Sequence, residues 1–218
     1  MASGAVRVLI VDDHPIVRRG LSQLIEQEPD LEVCGEADDA DTALAAFVKL
    51  EPDIALVDLM LQGASGTDLI KNLKAQNENI PILVISMHDE AVYAERALRA
   101  GAHGYIMKEE ATGQVLTALR KVVGGDVYVS ERMVGHLLRR MVGGAGHGAG
   151  IDGLSDRELE VFQWIGRGLS VPDIAERLKV SPKTVESYRA HIKDKLNLAN
   201  SAEVMRSAVQ WSERRSRA

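Results

Sequence analysis

The chain has 218 residues, 45% of them apolar, which allows one large domain or two small ones with ordinary buried cores. With no run approaching about 18 consecutive apolar residues, no basic-then-apolar start between Met1 and Ala5 and one cysteine, Cys34, membrane-spanning, secreted and disulfide-stapled classes are disfavoured and a cytoplasmic protein is expected. The net charge of −6 divides unevenly: Met1 to Val129 carries 11 Lys+Arg against 21 Asp+Glu, a net of −10, while Ser130 to Ala218 carries 15 against 11, a net of +4, so only the second half has the sign that suits a polyanion.

In chain order, short β-branched runs alternate with longer segments of 3.6-residue period. The strand candidates are Val6 to Val11, Glu32 to Ala37, Ile54 to Leu59, Ile82 to Ser86 and Gly104 to Met107. Helix candidates are Pro15 to Gln27, Ala40 to Leu50, Gly66 to Ala75, Ala91 to Ala100 and Thr112 to Val123. Five βα units in series predict an α/β domain with a five-stranded, doubly wound parallel sheet in the order 2-1-3-4-5. Cys34 falls in the alternating stretch Leu31, Val33, Gly35, Ala37 and reads as a small core side chain. A further amphipathic segment, Ser130 to Met141, leads into Gly143 to Gly153, where six of eleven residues are glycine, a flexible linker by composition.

Beyond the linker no strand pattern appears. Four helix starts do: Ser155 with Glu158 in capping-box spacing, Ser170 with Asp173, Ser181 followed by Pro182, and Ser201 with Glu203. The expected division is an α/β domain at 1–127, a connecting helix and glycine-rich linker at 128–153, an all-α four-helix domain at 154–212, and a disordered basic tail at 213–218 with Arg214, Arg215 and Arg217.

In a parallel sheet of this kind the functional groups sit beyond the carboxyl ends of the strands. Those positions hold Asp12 and Asp13 after the first strand, Asp58 at the end of the third, Ser86 after the fourth and Lys108 after the fifth. In the order 2-1-3-4-5 these strands are neighbours, so the five side chains converge on one rim. Three carboxylates together repel and raise one another's pKa unless a divalent cation compensates, and an oxygen donor set suits Mg²⁺. With charge so neutralised, a carboxylate can attack phosphorus and form an aspartyl phosphate. Asp58, at the sheet centre, is the predicted nucleophile. Lys108 supplies a fixed cation, Ser86 donates to a phosphoryl oxygen, and Asp12 and Asp13 hold the metal. A lone strand-end aspartate is ordinarily a helix cap or a solvated loop residue; the ordered set of five carries the reading. His14 and His88 read as loop residues without a role.

Val11-Asp12-Asp13-His14-Pro15, Val57-Asp58-Leu59-Met60, Ser86 and Gly104-Tyr105-Ile106-Met107-Lys108, in that order, resemble the receiver family of response regulators over roughly residues 6 to 125. The resemblance implies phosphoryl transfer to Asp58 from a sensor histidine kinase. It also implies Mg²⁺ held by Asp13, Asp58 and the Met60 backbone carbonyl, with Asp12 acting through water, and a switch formed by Ser86 and Tyr105. Such a chain is no enzyme in its own right but a phosphoacceptor with Mg²⁺-dependent self-phosphorylation and dephosphorylation chemistry. Glu109 departs from the many members with proline after the lysine; a cis bond there, costing ~3 kcal/mol without proline, is not expected.

In the second half, Ile174, Ala175 and Leu178, then Val180, then Val185, Tyr188, Ile192 and Leu196 make two apolar stripes around a tight turn at Lys179 to Pro182. That is helix-turn-helix grammar, which a generic three-helix bundle would share. Opposite the second stripe lie Lys183, Ser187, Ala190 and Asp194, flanked by Glu186 and Lys193 on one side and His191 on the other. As a groove-facing surface it is not strongly basic, so affinity has to come largely from phosphate contacts by Lys183, Arg189, Lys193 and helix N-termini. Glu186 either accepts from a cytosine amino group or is solvated. The expected DNA-binding set is Ser181, Lys183, Thr184, Glu186, Ser187, Arg189, Ala190 and Lys193.

Leu154-Ser155-Asp156-Arg157-Glu158-Leu159-Glu160-Val161, Gly168-Leu169-Ser170, Ile174-Ala175, Ser181-Pro182-Lys183-Thr184-Val185-Glu186 and Lys195-Leu196 resemble the LuxR-type domain of NarL/FixJ regulators over roughly residues 153 to 212. Departures are Val171-Pro172, Glu186 and Tyr188, where asparagine-lysine, lysine and histidine are usual. The resemblance implies a last helix that dimerises DNA-bound domains, with Val204, Met205, Val209 and Trp211 as that face or as core. The expectation is a transcription regulator activated by phosphorylation of Asp58, homodimeric on phosphorylation or DNA binding, with RNA polymerase a candidate partner. The alternative is a phosphorylation-independent regulator whose receiver serves as a dimerisation module. An aspartate-nucleophile phosphatase needs an acid/base carboxylate where Met60 stands, and a flavodoxin-like FMN protein needs a Ser/Thr/Gly-rich loop at His14 to Arg19.

Overall fold

Strands and helices alternate in one unit, Met1–Ala145, and among the described residues the other, Gly146–Ala218, holds helices and no strand. The computed structural model describes residues 4–61, 64–142 and 150–216. Among them no helix is long and apolar enough to cross a membrane.

The first unit is built on β1 (Val6–Val11), β2 (Leu31–Ala37), β3 (Ile54–Val57), a short hairpin of β4 (Met60–Leu61) with β5 (Ala64–Ser65), then β6 (Ile82–Ser86) and β7 (Gly104–Met107). Its helices are α1 (Pro15–Ile25), α2 (Ala40–Leu50), α3 (Gly66–Gln76), α4 (Glu90–Ala100), α5 (Ala111–Val123) and α6 (Glu131–Val142). The five parallel strands lie in the order β2-β1-β3-β6-β7, which is the expected 2-1-3-4-5 counted along the sheet-forming strands. Val8 to Val11 and Ile54 to Val57 are fully buried without alternation, as strands covered on both faces must be. Leu21 and Ile25 of α1 and Val115, Leu119 and Val122 of α5 pack on Val8, Ile10, Leu56, Leu83 and Ile106. α2, α3 and α4 adjoin one another and bury Phe47, Leu69, Ile70, Leu73, Tyr93 and Ala97. Each large side chain so buried contributes about 1.5–3 kcal/mol, so the carboxyl ends of the strands form a rigid frame. Cys34 is half-buried rather than part of the core, because β2 is an outer strand of the sheet.

Two further features surround β7. Tyr128 bridges Gly104 in parallel, its carbonyl accepting from the Tyr105 N–H at 2.8 Å and its N–H donating to the His103 carbonyl at 2.9 Å. A Cβ on Gly104 would lie 2.8 Å from that Tyr128 carbonyl and 2.8 Å from Leu83 Cδ1, so only glycine admits the strap. Two residues on, the Ser130 hydroxyl and N–H both donate to the Glu90 carboxylate, and the Ser130 oxygen caps α6 through the Met133 N–H.

In the second unit a 3₁₀ turn, Ile151–Gly153, occupies the end of the glycine-rich stretch; 143–149 lie outside the described residues. α7 (Asp156–Gly166), α8 (Val171–Leu178), α9 (Pro182–Lys195) and α10 (Ser201–Ser216) follow. Ser155 and Ser170 start α7 and α8 with complete capping boxes, and Ser181 accepts from the Thr184 N–H with Pro182 in the first turn of α9. The fourth cap differs from expectation: Asn200, not Ser201, accepts from the Glu203 N–H, at 3.0 Å. The core comprises Leu159, Val161, Phe162, Ile165, Ile174, Ala175, Val185, Ile192, Val204 and Ala208. Gly166 lets α10 approach, since a Cβ there would lie 2.6 Å from the Ala208 carbonyl oxygen. Val204 is core and Trp211 meets the Phe162 ring at 6.0 Å, whereas Met205 is exposed. The segment read as a disordered tail is helical through Ser216; Arg217 lies outside the described residues.

Candidate functional site

Three of the rim residues are each fixed by a ladder hydrogen bond one step beyond a strand. The Asp12 N–H donates to the Ala37 carbonyl at 3.1 Å, the Asp58 N–H to Val11 at 2.8 Å, and the Lys108 N–H to Ser86 at 2.8 Å. The side chains at these points are therefore set by the sheet and not by loops. Lys108 Nζ lies 2.6 Å from Asp12 Oδ2 and 2.7 Å from Asp58 Oδ2, with 5% of its side chain exposed. Asp58 Oδ1 accepts from the Met60 N–H at 3.2 Å, which places the start of the β4–β5 hairpin against the carboxylate. Gly66 brings α3 onto the same segment: a Cβ there would lie 2.4 Å from the Leu59 Cα.

Burial pushes the Asp58 carboxyl above its ordinary range; Lys108 opposes the rise and Asp12 adds to it. Burial alone would lower Lys108, but the Asp58 and Asp12 carboxylates outweigh it and hold the ammonium above its usual value. Asp12, Asp13, Asp58 and His14 bring one potential ligand atom each to within 4.8 Å of one another. Three carboxylates against one ammonium leave the cluster negative, and its oxygen donors suit a hard divalent cation. His14, read from the sequence as a bystander, donates its N–H to Asp12 Oδ1 at 2.8 Å and sets Nδ1 2.7 Å from Asp13 Oδ1.

Ser86 is fully buried and Tyr105 is 1% exposed. They meet at one residue: the His88 N–H donates to Ser86 Oγ at 3.3 Å, and the Tyr105 hydroxyl donates to the His88 carbonyl at 2.8 Å. Burial lifts the Tyr105 phenol far above its ordinary range, so it stays a hydroxyl. The role of His88 was not legible from its side chain because its backbone makes both bonds. The next residue, Asp89, caps α4 through the Ala91 N–H, and Glu90 reaches Ser130. Every described peptide bond is trans.

In the second unit the residues expected to meet DNA fall into two groups. Lys183, Glu186, Ser187 and Ala190 are exposed on α9, while Val185 and Ile192 are buried beneath it. The Ser181 hydroxyl is spent on the α9 cap together with Thr184. Arg189 lies toward the packed side, 22% exposed and 3.1 Å from Glu186, and Lys193 sits 3.4 Å from Asp194. Lys195 and His191 flank the buried Glu158 of α7, at 2.7 and 3.5 Å.

Residues 8–120 match the family model described as response regulator receiver domain, and residues 152–208 match that of bacterial regulatory proteins, luxR family. The chain is 35% identical over 211 residues to the oxygen regulatory protein NreC of Staphylococcus carnosus, covering 94% of this chain and 97% of that one. It is 31% identical over 205 residues to the response regulator GacA of Pseudomonas aeruginosa, covering 94% and 96%. Among solved structures, RcsB of Salmonella enterica serovar Typhimurium bound to promoter P1flhDC with the phosphomimetic BeF3⁻ aligns with TM-score 0.58 at 28% identity, over 93% of this chain and 98% of that one. Receiver topology, the acid–lysine rim and the helix-turn-helix thus coincide in one polypeptide along nearly its whole length, and the chain belongs to the two-component response regulators of the NarL/FixJ type, a receiver domain joined to a LuxR-type DNA-binding domain.

Proposed function

We propose that Asp58 is the phosphoacceptor and that its phosphorylation by a sensor histidine kinase controls DNA binding. The observation that carries this reading is the buried Lys108 ammonium shared by Asp12 Oδ2 and Asp58 Oδ2. It pins the nucleophile and offers fixed positive charge where negative charge gathers on a transferring phosphoryl group. An Asp58 carboxylate oxygen bonds to phosphorus as the N–P bond of the kinase phosphohistidine breaks. The electron pair leaves with the imidazole nitrogen, which takes a proton from solvent. Ser86 then donates its hydroxyl to a phosphoryl oxygen. Asp13, Asp58 and the Met60 backbone carbonyl would hold Mg²⁺, with Asp12 acting through water. When bound, the ion neutralises the carboxylates and orients the phosphoryl oxygens.

The readout begins at His88. A shift of Ser86 toward the phosphoryl group pulls on the His88 backbone, to which Tyr105 is also bonded, and so bears on the face made by α4, β7 and α5. The DNA-binding domain presents Lys183, Glu186, Ser187 and Ala190 to double-stranded DNA as a homodimer, in the cytoplasm, with RNA polymerase as the further partner. Incubation with Mg²⁺ and acetyl phosphate should add the mass of one phosphoryl group to the wild-type chain and none to Asp58→Asn. Labelling that survives the substitution removes Asp58 from the role. In footprinting, Lys183→Ala should weaken binding evenly across sequences. Binding that is indifferent to acetyl phosphate would make the receiver a dimerisation module instead.

A further inference from the structure

The cations of the second unit fall into two sets. Arg157, Arg189, Lys193, Lys195 and Arg206 each have a carboxylate within salt-bridge distance. Among the described residues Arg167, Arg177, Lys179 and Lys183 have none. These four are not scattered. Arg177, Lys179 and Lys183 run from the end of α8 through the turn into the first turn of α9. Arg167, just past α7, joins them through Trp164, whose ring takes the Arg167 guanidinium at 4.7 Å and the Arg177 guanidinium at 4.8 Å.

The stacking gives both arginines a fixed place in the free protein. The ring quadrupole attracts each guanidinium, and its planar face makes the stack specific to arginine. Less side-chain freedom is then lost when a ligand arrives. Trp164 Nε1 is buried without a hydrogen-bond partner, so packing and the two cations, not a polar tether, hold the ring. Two like charges on one ring repel; Asp173 acts on Arg177 only from a distance, and neither arginine has a carboxylate within salt-bridge distance. An anion from outside would offset both charges. Lys179 stands at the left-handed C-cap of α8, φ 53°, where a cation suits the negative end of the helix.

We propose that Arg167 and Arg177 stacked on Trp164, continued by Lys179 and Lys183, are the phosphate-gripping set of the DNA-binding domain. This rests on the DNA-binding reading above and names the residues that supply its charge. Arg189 and Lys193 lie beside Glu186 and Asp194, whose negative charge partly offsets theirs toward a phosphate, so their share of backbone affinity is the smaller one. The Ser187 and Ala190 face of α9 is left to meet the bases.

The test uses the full-length chain after acetyl phosphate treatment and one mixed-sequence duplex, titrated at several salt concentrations. The Arg167→Gln/Arg177→Gln variant should bind on the order of five-fold more weakly per lost contact near 0.15 M salt, with a log K against log salt slope flatter by about 2. Arg177→Lys keeps the charge and should keep the slope. Both variants should unfold cooperatively, with the double variant losing no more than the two exposed stacks supply, about two- to five-fold each in the folding equilibrium constant (about 0.5–1 kcal/mol), because both arginines are exposed. A double variant with wild-type affinity and slope overturns the proposal, and so does weakened binding with an unchanged slope. If Lys183→Ala flattens the slope while the double arginine variant does not, the DNA-binding reading stands and this one falls. A double variant that binds DNA normally but no longer supports transcription by added polymerase shows an acidic protein partner there, which also overturns it. A wild-type chain that binds no duplex at all defeats both readings.

Discussion

Lys108 and Arg189 are both cations paired with a carboxylate, yet the two pairs differ in kind. Lys108 is 5% exposed and contacts two buried carboxylates at 2.6 and 2.7 Å. Arg189 meets Glu186 at 3.1 Å, and the glutamate is 57% exposed. In the receiver, water has been removed from the charges, so each matters to folding. In the DNA-binding domain water screens the pair, which leaves it weak.

The sharpest way to break this contrast is Lys108→Met. Removing one partner from a buried ionic cluster costs about 3–5 kcal/mol, so urea unfolding of the metal-free variant near neutral pH should show a loss of that size. Asp58→Asn should do the opposite. Because the folded-state pKa of Asp58 is raised, its favourable contribution is fully present below the unfolded value and is lost as pH rises through the folded one. Metal-free Asp58→Asn should therefore melt above wild type at neutral pH, with the difference closing as pH falls toward 3.8, the ordinary value. Mg²⁺ should relieve the same excess charge. At ten times its Kd, a ligand bound only by the folded state adds about 1.4 kcal/mol, a gain that Asp13→Asn should abolish in the same unfolding measurement. The smallest effect belongs to the exposed pair: Glu186→Gln should change stability by no more than about 0.5 kcal/mol. A larger loss would show that burial is not what separates the two regions.

Much of the receiver was legible because its chemistry follows directly on its strands. Asp12, Asp58, Ser86 and Lys108 each end or follow an apolar β-branched run, and a parallel sheet brings such positions to one rim. The β4–β5 hairpin was not, since two-residue strands carry no period. The Tyr128 strap was hidden likewise, because a single bridge leaves no pattern. In the second unit the helix starts stood out through Ser155, Ser170 and Ser181, whereas Asn200 was passed over for its neighbour Ser201. Helical spacing separated the buried Val185 and Ile192 from the exposed Lys183 and Ser187. It could not show that Glu186 holds Arg189 or that Trp164 collects two arginines, because those contacts depend on side-chain reach and on packing between helices.

The strap on β7 has a consequence for how the receiver behaves in a crowded solution. An outer strand shows a row of unused backbone donors and acceptors, a template on which another chain can add a strand and begin an aggregate. Tyr128 occupies the Tyr105 N–H and the His103 carbonyl, the bonds such an addition would need first. The opposite margin, β2, carries exposed Glu32 and Glu36, held by Arg7 and Arg18 at 3.4 Å, and a strand that docked there would have to strip water from these charged groups. The two margins of one sheet are thus kept from pairing with other molecules by different means, one by covering the backbone and the other by charging the side chains along it.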